Sequence, residues 1–159
     1  MKQLRRSEAR EAAFIAVFEY SFGQNSMDEI FENAKLCRNF QWNEYTRELA
    51  EGTADYILQI DDKIKSCLRN WTIERISKPA LAILRCAVWE LYYGGIEPEI
   101  AINEAVELAK KYAPDPDAAF INGVLGRMVR GDASQPYREE GSEENPVEPD
   151  QAIETDVQG

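Results

Sequence analysis

The side chains that most often catalyse reactions or hold metals are sparse in this chain of 159 residues. Histidine is absent, which removes histidine proton relays, the Ser-His and Cys-His nucleophile pairs and every histidine metal site. Cys37, Cys67 and Cys86 are too scattered for a disulfide framework or a zinc site. No GxxxxGK[ST] or GxGxxG phosphate-binding loop occurs. We therefore predict no catalytic residue, no metal and no cofactor, and a protein that is not an enzyme.

Two pairs of carboxylates need a separate explanation. Asp61 and Asp62 are adjacent, with two lysines close by, which is typical of a solvated helix face. Glu104 and Glu107 lie one helical turn apart, as in carboxylate-metal bundles, but those bundles also use a Glu-x-x-His motif. We therefore expect Asp61 and Asp62 to be exposed, and no metal site at Glu104.

The residue types at the start of the chain point to a ligand. Four bases fall within this short segment: Lys2, Arg5, Arg6 and Arg10. Arg6 and Arg10 lie one helical turn apart and therefore share a face. Such a segment is typical of an arm that contacts the phosphates of a nucleic acid. The alternative is a solvated terminus, and Glu8 and Glu11 offset part of the positive charge.

Helices are predicted to carry these residues. Apolar residues recur with a helical period, and no stretch of strand length alternates with period two. We predict an all-α domain of six main helices plus a short turn, at about 7–21, 27–38, 43–71, 72–76 (the turn), 78–93, 99–112 and 116–130. Ser26 and Glu29 form a capping box for the second helix, and Asp115 is expected to cap the last one.

The third and fourth helices allow the most specific predictions. The helical period runs without interruption from Tyr45 to Trp71, and Gly52 within it indicates close approach of another helix. The segment 78–93 is apolar nearly all round and should be central and buried. Its Arg85 must then reach water, a ligand groove or a buried carboxylate, and we predict that it pairs with Glu104.

Charge divides the chain into two parts. The net charge is −11, and the segment 132–159 holds nine acidic residues and one base. We predict a folded domain of residues 1–131 and a disordered acidic tail of residues 132–159. No signal peptide follows Met1, and no apolar run approaches the roughly 18 residues of a membrane span. We expect a cytoplasmic protein with no membrane partner.

Four segments resemble the NusB family of transcription antitermination factors. They are RRSEAREAAFIAVFEY at 5–20, ERISKPALAILRCAVWEL at 74–91, AINEAVELAKKY at 101–112 and FINGVLGRM at 120–128. Their order and spacing agree with the family, and the resemblance covers about residues 1–130. It implies a fold of two small helical bundles set against each other.

The resemblance also implies a function. Members of the family are not enzymes; they pair with the ribosomal protein NusE, bind boxA-type single-stranded RNA of nascent ribosomal transcripts and join the RNA polymerase elongation complex. The resemblance implies RNA contacts for Arg5, Arg6 and Arg10, and for Phe120 and Asn122 at the start of the last helix. A base can stack on an exposed aromatic ring, although the apolar stripe around Phe120 equally predicts core packing.

Val17, Phe18 and Ala80 match positions on the partner-binding face of the family. Members often have a tyrosine at the position of Phe18 and an acid at that of Ala80, so this chain lacks two polar contacts there.

Two other functions stay open. One is a protein-interaction or homodimeric ribosome-assembly module with little RNA binding of its own. The other is a regulatory domain of an RNA methyltransferase, against which the absence of a glycine-rich cofactor loop counts.

Overall fold

A computed structural model describes residues 3–37 and 39–130 of the chain. In these ranges it has seven α-helices and one 3-10 turn and no strand: α1 (Arg6–Tyr20), α2 (Met27–Ala34), α3 (Glu44–Asp55), α4 (Ile57–Ser66), the turn Ile73–Arg75, α5 (Lys78–Tyr92), α6 (Pro98–Tyr112) and α7 (Asp117–Val129). The all-α prediction is confirmed. Lys2 and the acidic segment 132–159 lie outside the described residues.

The helices form two groups that meet at α5. In the first group, α1, α2 and α3 pack against one another; in the second, α4 and α6 pack on α5, and α7 packs mainly on α6. Helix α5 also contacts α1 and α3. Most of its residues are buried, which confirms the prediction of a central helix.

Local sequence signals set two of the helix starts. The Ser26 hydroxyl accepts a hydrogen bond from the Glu29 amide at 3.1 Å, and the Glu29 carboxylate accepts one from the Ser26 amide at 2.9 Å. This is the predicted capping box of α2. At α5, the Ser77 hydroxyl accepts from the Ala80 amide at 3.3 Å, and Pro79 lies in the first turn, where the missing amide hydrogen does no harm.

The start of α7 differs from the sequence prediction. Pro116 has a ψ of 38° and lies just before the helix, which begins at Asp117. Asp115 therefore does not cap α7, and the prediction that it would do so is wrong. Instead, the carboxylate of Asp117 accepts a hydrogen bond from the Ser77 hydroxyl at 2.8 Å. This bond joins the beginnings of α5 and α7.

The long third helix predicted from Tyr45 to Trp71 is two helices. Tyr56, between α3 and α4, has φ −107° and ψ 23°, outside the helical region. Its ring stacks on that of Tyr93, with centroids 4.3 Å apart. The prediction of one continuous helix is wrong because the apolar period carries across a break of one residue. Helix α4 ends at Ser66, so Trp71 lies outside any helix.

Arg85 of α5 has a partner other than the one predicted. Its Nε and one terminal nitrogen each donate to the carboxylate of Asp61 at 2.8 Å. Both side chains are largely buried, with 13% and 19% of their surface exposed. Pairing with Glu104 and full exposure of Asp61 were therefore both wrong. Helix α4 packs against α5 and brings Asp61 to the arginine.

Candidate nucleic-acid and partner interface

Arg5 and Arg6 form an exposed basic surface, here called the basic arm. Arg5 is largely exposed, and its guanidinium lies 3.3 Å from the Glu8 carboxylate. The Arg6 guanidinium lies 3.9 Å from the centre of the Tyr45 ring, a cation–π arrangement. Both arginines are held in place by neighbours yet remain open to solvent. Both guanidinium groups are therefore accessible to a ligand, and their contact with RNA phosphates stays a prediction.

Arg10 has a different environment from the basic arm. Its Nε donates to the Glu90 carboxylate at 2.7 Å, and the Tyr45 hydroxyl donates to the same oxygen. Arg10 is 6% exposed and Glu90 is 2% exposed. Burial, reinforced by the bond to Glu90, raises the pKa of Tyr45, so its hydroxyl stays a donor. Arg10 shares a face with Arg6 as predicted, but its burial contradicts the prediction that it contacts RNA.

Phe120 belongs to a second surface, which sequence analysis only partly found. The Phe120 ring is half-buried, and its centroid lies 6.2 Å from that of Trp71. Trp71 is 41% exposed, and the Arg75 guanidinium lies 4.3 Å from the centre of its ring. We call Trp71, Arg75 and Phe120 the aromatic platform. Asn122 is exposed on α7, two residues beyond Phe120.

Trp71 and Arg75 were missed because Trp71 continued the apolar stripe of the predicted long helix. A local signal was available in Asn70, which has a φ of 55°. Asparagine tolerates this left-handed conformation better than most residues, and it often ends a helix. Reading Asn70 as a helix terminator would have placed Trp71 in a connecting segment.

The predicted partner-binding residues are only partly at the surface. Val17 and Ala80 lie in the hydrophobic core, so neither offers side-chain surface to a partner, contrary to the prediction. Phe18 is half-buried, and its ring meets that of Phe22 edge to face at 5.1 Å. Phe22 is 51% exposed, and the Lys78 ammonium lies 5.3 Å from the centre of its ring. We call Phe18 and Phe22 the α1 aromatic edge.

The basic arm and the aromatic platform lie near opposite ends of α5. Arg10, one turn after Arg6, binds Glu90 near the end of α5. Asp117, one turn before Phe120, binds Ser77 at its start. At 1.5 Å per residue, Ser77 and Glu90 are about 20 Å apart along the helix. One nucleotide cannot touch both surfaces, so a common ligand must be an extended chain.

A polar cluster links the beginning of α1 to the end of α6. Glu11 accepts hydrogen bonds from the Lys111 ammonium, at 2.7 Å, and from the Tyr112 hydroxyl. Burial alone would raise the pKa of Glu11, but these two bonds outweigh it and lower the pKa. The same bond to Glu11 raises the pKa of Lys111. Lys111 and Glu11 thus form an ion pair that joins α1 to α6.

Other kinds of site find no support within residues 3–37 and 39–130. In these ranges no group of three cysteine, aspartate or glutamate side chains could hold a metal ion. Cys67 and Cys86 are buried, and Cys37 is exposed. Burial raises the pKa of both buried thiols, which keeps them protonated and unreactive. No helix in the described part of the chain is long and apolar enough to cross a membrane.

Comparison with known proteins gives one consistent result. A family model described as the NusB family matches residues 7–130. The chain is 38% identical over 128 residues to the transcription antitermination protein NusB of Thermoanaerobacter sp. (strain X514), covering 80% of this chain and 91% of that protein. It is similar to the crystal structure of antitermination factors NusB and NusE in complex with dsRNA (TM-score 0.72, 27% identity, 80% and 97% of the two chains covered). NusB of T. maritima gives a TM-score of 0.72 at 28% identity, with 83% and 95% covered.

Proposed function

This chain belongs to the NusB family, and we propose that it is a transcription antitermination factor that binds boxA-type RNA of nascent ribosomal transcripts together with NusE. In this role it joins the RNA polymerase elongation complex and promotes processive elongation. The observation that carries the proposal is the pair of exposed surfaces at the two ends of α5. A basic arm suits phosphates, and an aromatic platform suits unstacked bases.

The two surfaces divide the work of RNA binding. Arg5 and Arg6 attract the backbone of any RNA, and this attraction carries no sequence information. Trp71 and Phe120 offer ring faces to bases, and Arg75 extends the stack. Single-stranded RNA fits this arrangement better than a duplex does, because only an unpaired base can lie flat on a ring.

NusE is expected to bind the α1 aromatic edge. Phe22 exposes half of its surface with Lys78 beside it, and exposed aromatic residues are typical anchors of protein interfaces. The interface uses Phe18 and Phe22 in place of the buried Val17 and Ala80. We expect a regulatory protein without enzymatic activity that works in the cytoplasm, where transcripts emerge from the polymerase.

The test measures RNA affinity and its salt dependence. Fluorescence anisotropy with a labelled boxA-type RNA and a scrambled RNA, with and without NusE, gives the dissociation constants at several salt concentrations. The variant is Arg5→Ala/Arg6→Ala. The control is Lys35→Ala/Lys65→Ala, which removes two exposed bases elsewhere. Loss of two phosphate contacts should flatten the plot of log affinity against log salt by about 1.4.

The outcomes separate the candidate functions. Preference for the boxA-type RNA that grows when NusE is added, together with a flattened slope only in the arginine variant, supports the proposal. NusE binding without RNA binding would favour the protein-interaction module. Equal slopes in both variants would show that the basic arm does not contact phosphates.

A further inference from the structure

The acidic tail, residues 132–159, follows a helix that lies against the aromatic platform. Helix α7 ends at Val129 and is followed by Arg130. Phe120, near the start of the same helix, lies beside Trp71 in the platform. At 1.5 Å per residue, Phe120 and Arg130 are about 15 Å apart along the helix. The chain therefore leaves α7 within a short distance of the platform.

The end of α7 also lies near the segment that carries Trp71. Burial raises the pKa of the Cys67 thiol, and the Ser66 hydroxyl and the positive charge of Arg127 partly offset this rise. Arg127 of α7 is therefore close to Cys67, which directly follows α4. Trp71 is only four residues further along the chain. Both the start and the end of α7 thus border the connection from α4 to the platform.

The surroundings of the platform are basic. The segment 63–78 holds five bases and one acid. Arg75, Lys78 and Arg130 are exposed, and none of them has a carboxylate partner in the part of the chain that the structure describes. Exposed positive charges without acidic partners attract an anionic chain.

One part of the tail matches this surface in charge and residue type. Residues 137–144 contain a tyrosine, one base and four glutamates: Tyr137, Arg138, Glu139, Glu140, Glu143 and Glu144. The chain from Arg130 to Tyr137 can span up to about 23 Å when extended. This length exceeds the roughly 15 Å back along α7 to Phe120, so Tyr137 can reach the platform rings.

Attachment to the same chain makes weak contacts sufficient. Exposed ion pairs are individually weak. A short tether, however, gives the tail a local concentration on the order of millimolar. A dissociation constant in the same range then keeps the tail bound in about half of the molecules. The tail of a second copy has no such advantage at micromolar protein concentration, so the occupant is the protein's own tail.

We propose that residues 137–144 bind back on the aromatic platform when no RNA is present. Tyr137 lies against the ring of Trp71, and the glutamates pair with Arg75 and Arg130. RNA must displace this segment to reach the platform, so the tail lowers the affinity for RNA. This last consequence rests on the function proposed above, whereas binding of the tail does not.

The test compares two variants of the full chain that each lose four negative charges from the tail. The first neutralises the proposed segment: Glu139→Gln/Glu140→Gln/Glu143→Gln/Glu144→Gln. The control neutralises four acids further along the tail: Glu148→Gln/Asp150→Asn/Glu154→Gln/Asp156→Asn. Both are measured at physiological salt, where charges more than about 8 Å apart are largely screened.

Two measurements report on the platform. Fluorescence anisotropy with the labelled boxA-type RNA gives the affinity. Nuclear magnetic resonance of the indole N–H groups, without RNA, shows the environment of Trp71, whose signal is assigned with a Trp71→Phe variant. Trp42 and Trp89, which lie outside the platform, provide reference signals in the same spectrum.

In the first variant we expect RNA to bind about 2- to 10-fold more tightly, as follows if the tail occupies the platform in about half to nine-tenths of the parent molecules. The Trp71 signal should shift, and those of Trp42 and Trp89 should not. The control variant should resemble the parent in both measurements.

The two measurements separate this proposal from the antitermination role. Equal gains in RNA affinity in both variants, or an unchanged Trp71 signal in the first, would overturn binding of the tail while RNA binding stands. A Trp71 signal that shifts only in the first variant, in a protein that binds no RNA, would support binding of the tail and contradict the proposed function.

Discussion

The two ends of α5 place charged and aromatic residues in opposite ways. At the Glu90 end, an arginine and a glutamate are buried together, and the Tyr45 hydroxyl binds the same carboxylate. At the Ser77 end, the rings of Trp71 and Phe22 are exposed, each with a cation above it. Residue type alone would predict the reverse, with the arginine outside and the rings inside.

A specific partner accounts for the difference in each case. A buried arginine is stable only when its charge is paired and its hydrogen bonds are made, and Glu90 meets both needs for Arg10. An exposed tryptophan leaves apolar surface in water, which costs free energy unless a ligand covers it. The buried Arg10–Glu90 pair therefore stabilises the fold, whereas the exposed rings at the Ser77 end are accessible to a ligand. The predictions below test this division.

The largest effect is expected for Arg10→Ala. The substitution leaves Glu90 buried without its positive partner, which typically destabilises a protein by about 3–5 kcal/mol. Urea denaturation followed by circular dichroism should show this loss in the free energy of unfolding. Arg6→Ala, one turn away and exposed, is the matched control and should change stability little. An Arg10→Ala protein that is fully stable but binds RNA poorly would show that Arg10 contacts RNA together with the basic arm.

The separation of two partners along the chain explains which contacts could be predicted from the sequence. The capping box at Ser26 was found because it depends on two residues only three positions apart. The partner of Arg10 is 80 positions away and that of Arg85 is 24 positions away. No local pattern identifies such partners, so Arg10 was placed on the surface and Arg85 was paired with the wrong acid.

The candidate site shows the same limit. Arg5, Arg6 and Asn122 are exposed, so the RNA contacts predicted for them stay a prediction that the fold permits. It could not show that Val17 and Ala80 are buried, because that depends on how α1 and α5 pack. Trp71 was placed in the long third helix because the apolar period continues past Ser66, where α4 ends.

A smaller loss of stability is expected for Arg85→Ala. Its pair with Asp61 has two charged hydrogen bonds but is less buried than the Arg10–Glu90 pair. Hydrogen bonds to charged groups contribute about 1.5–3 kcal/mol, and partial solvent access places the expected loss in the lower half of that range. Urea denaturation provides the measurement, with Asp62→Ala as the exposed neighbouring control. A loss as large as that of Arg10→Ala would show that the degree of burial does not determine which of the two pairs stabilises the protein more.

At the other end of α5, Trp71→Ala should affect binding more than folding. Stacking of a base on an aromatic side chain contributes about 1–3 kcal/mol, so RNA affinity should fall about 5- to 150-fold. The slope of affinity against salt should stay the same, because no phosphate contact is lost. Phe40→Ala, a partly buried aromatic outside the platform, is the control for a general effect of removing a ring. Unchanged RNA affinity would limit the platform to a structural role.

The smallest effect concerns Glu11, next to Arg10 on α1 but paired at the surface. Because its pKa is lowered in the folded protein, protonation favours the unfolded chain. The stability that it contributes is therefore present above its unfolded pKa and disappears as the pH falls through its folded pKa. Thermal melts should show Glu11→Gln slightly less stable than the parent at pH 7, with a difference that shrinks as the pH falls through the folded pKa of Glu11. Glu19→Gln, an exposed change on the same helix, is the matched control for the loss of one carboxylate. A pH-independent difference would mean that Glu11 acts through packing, and the contrast between buried and exposed charges on α1 would then rest on Arg10 alone.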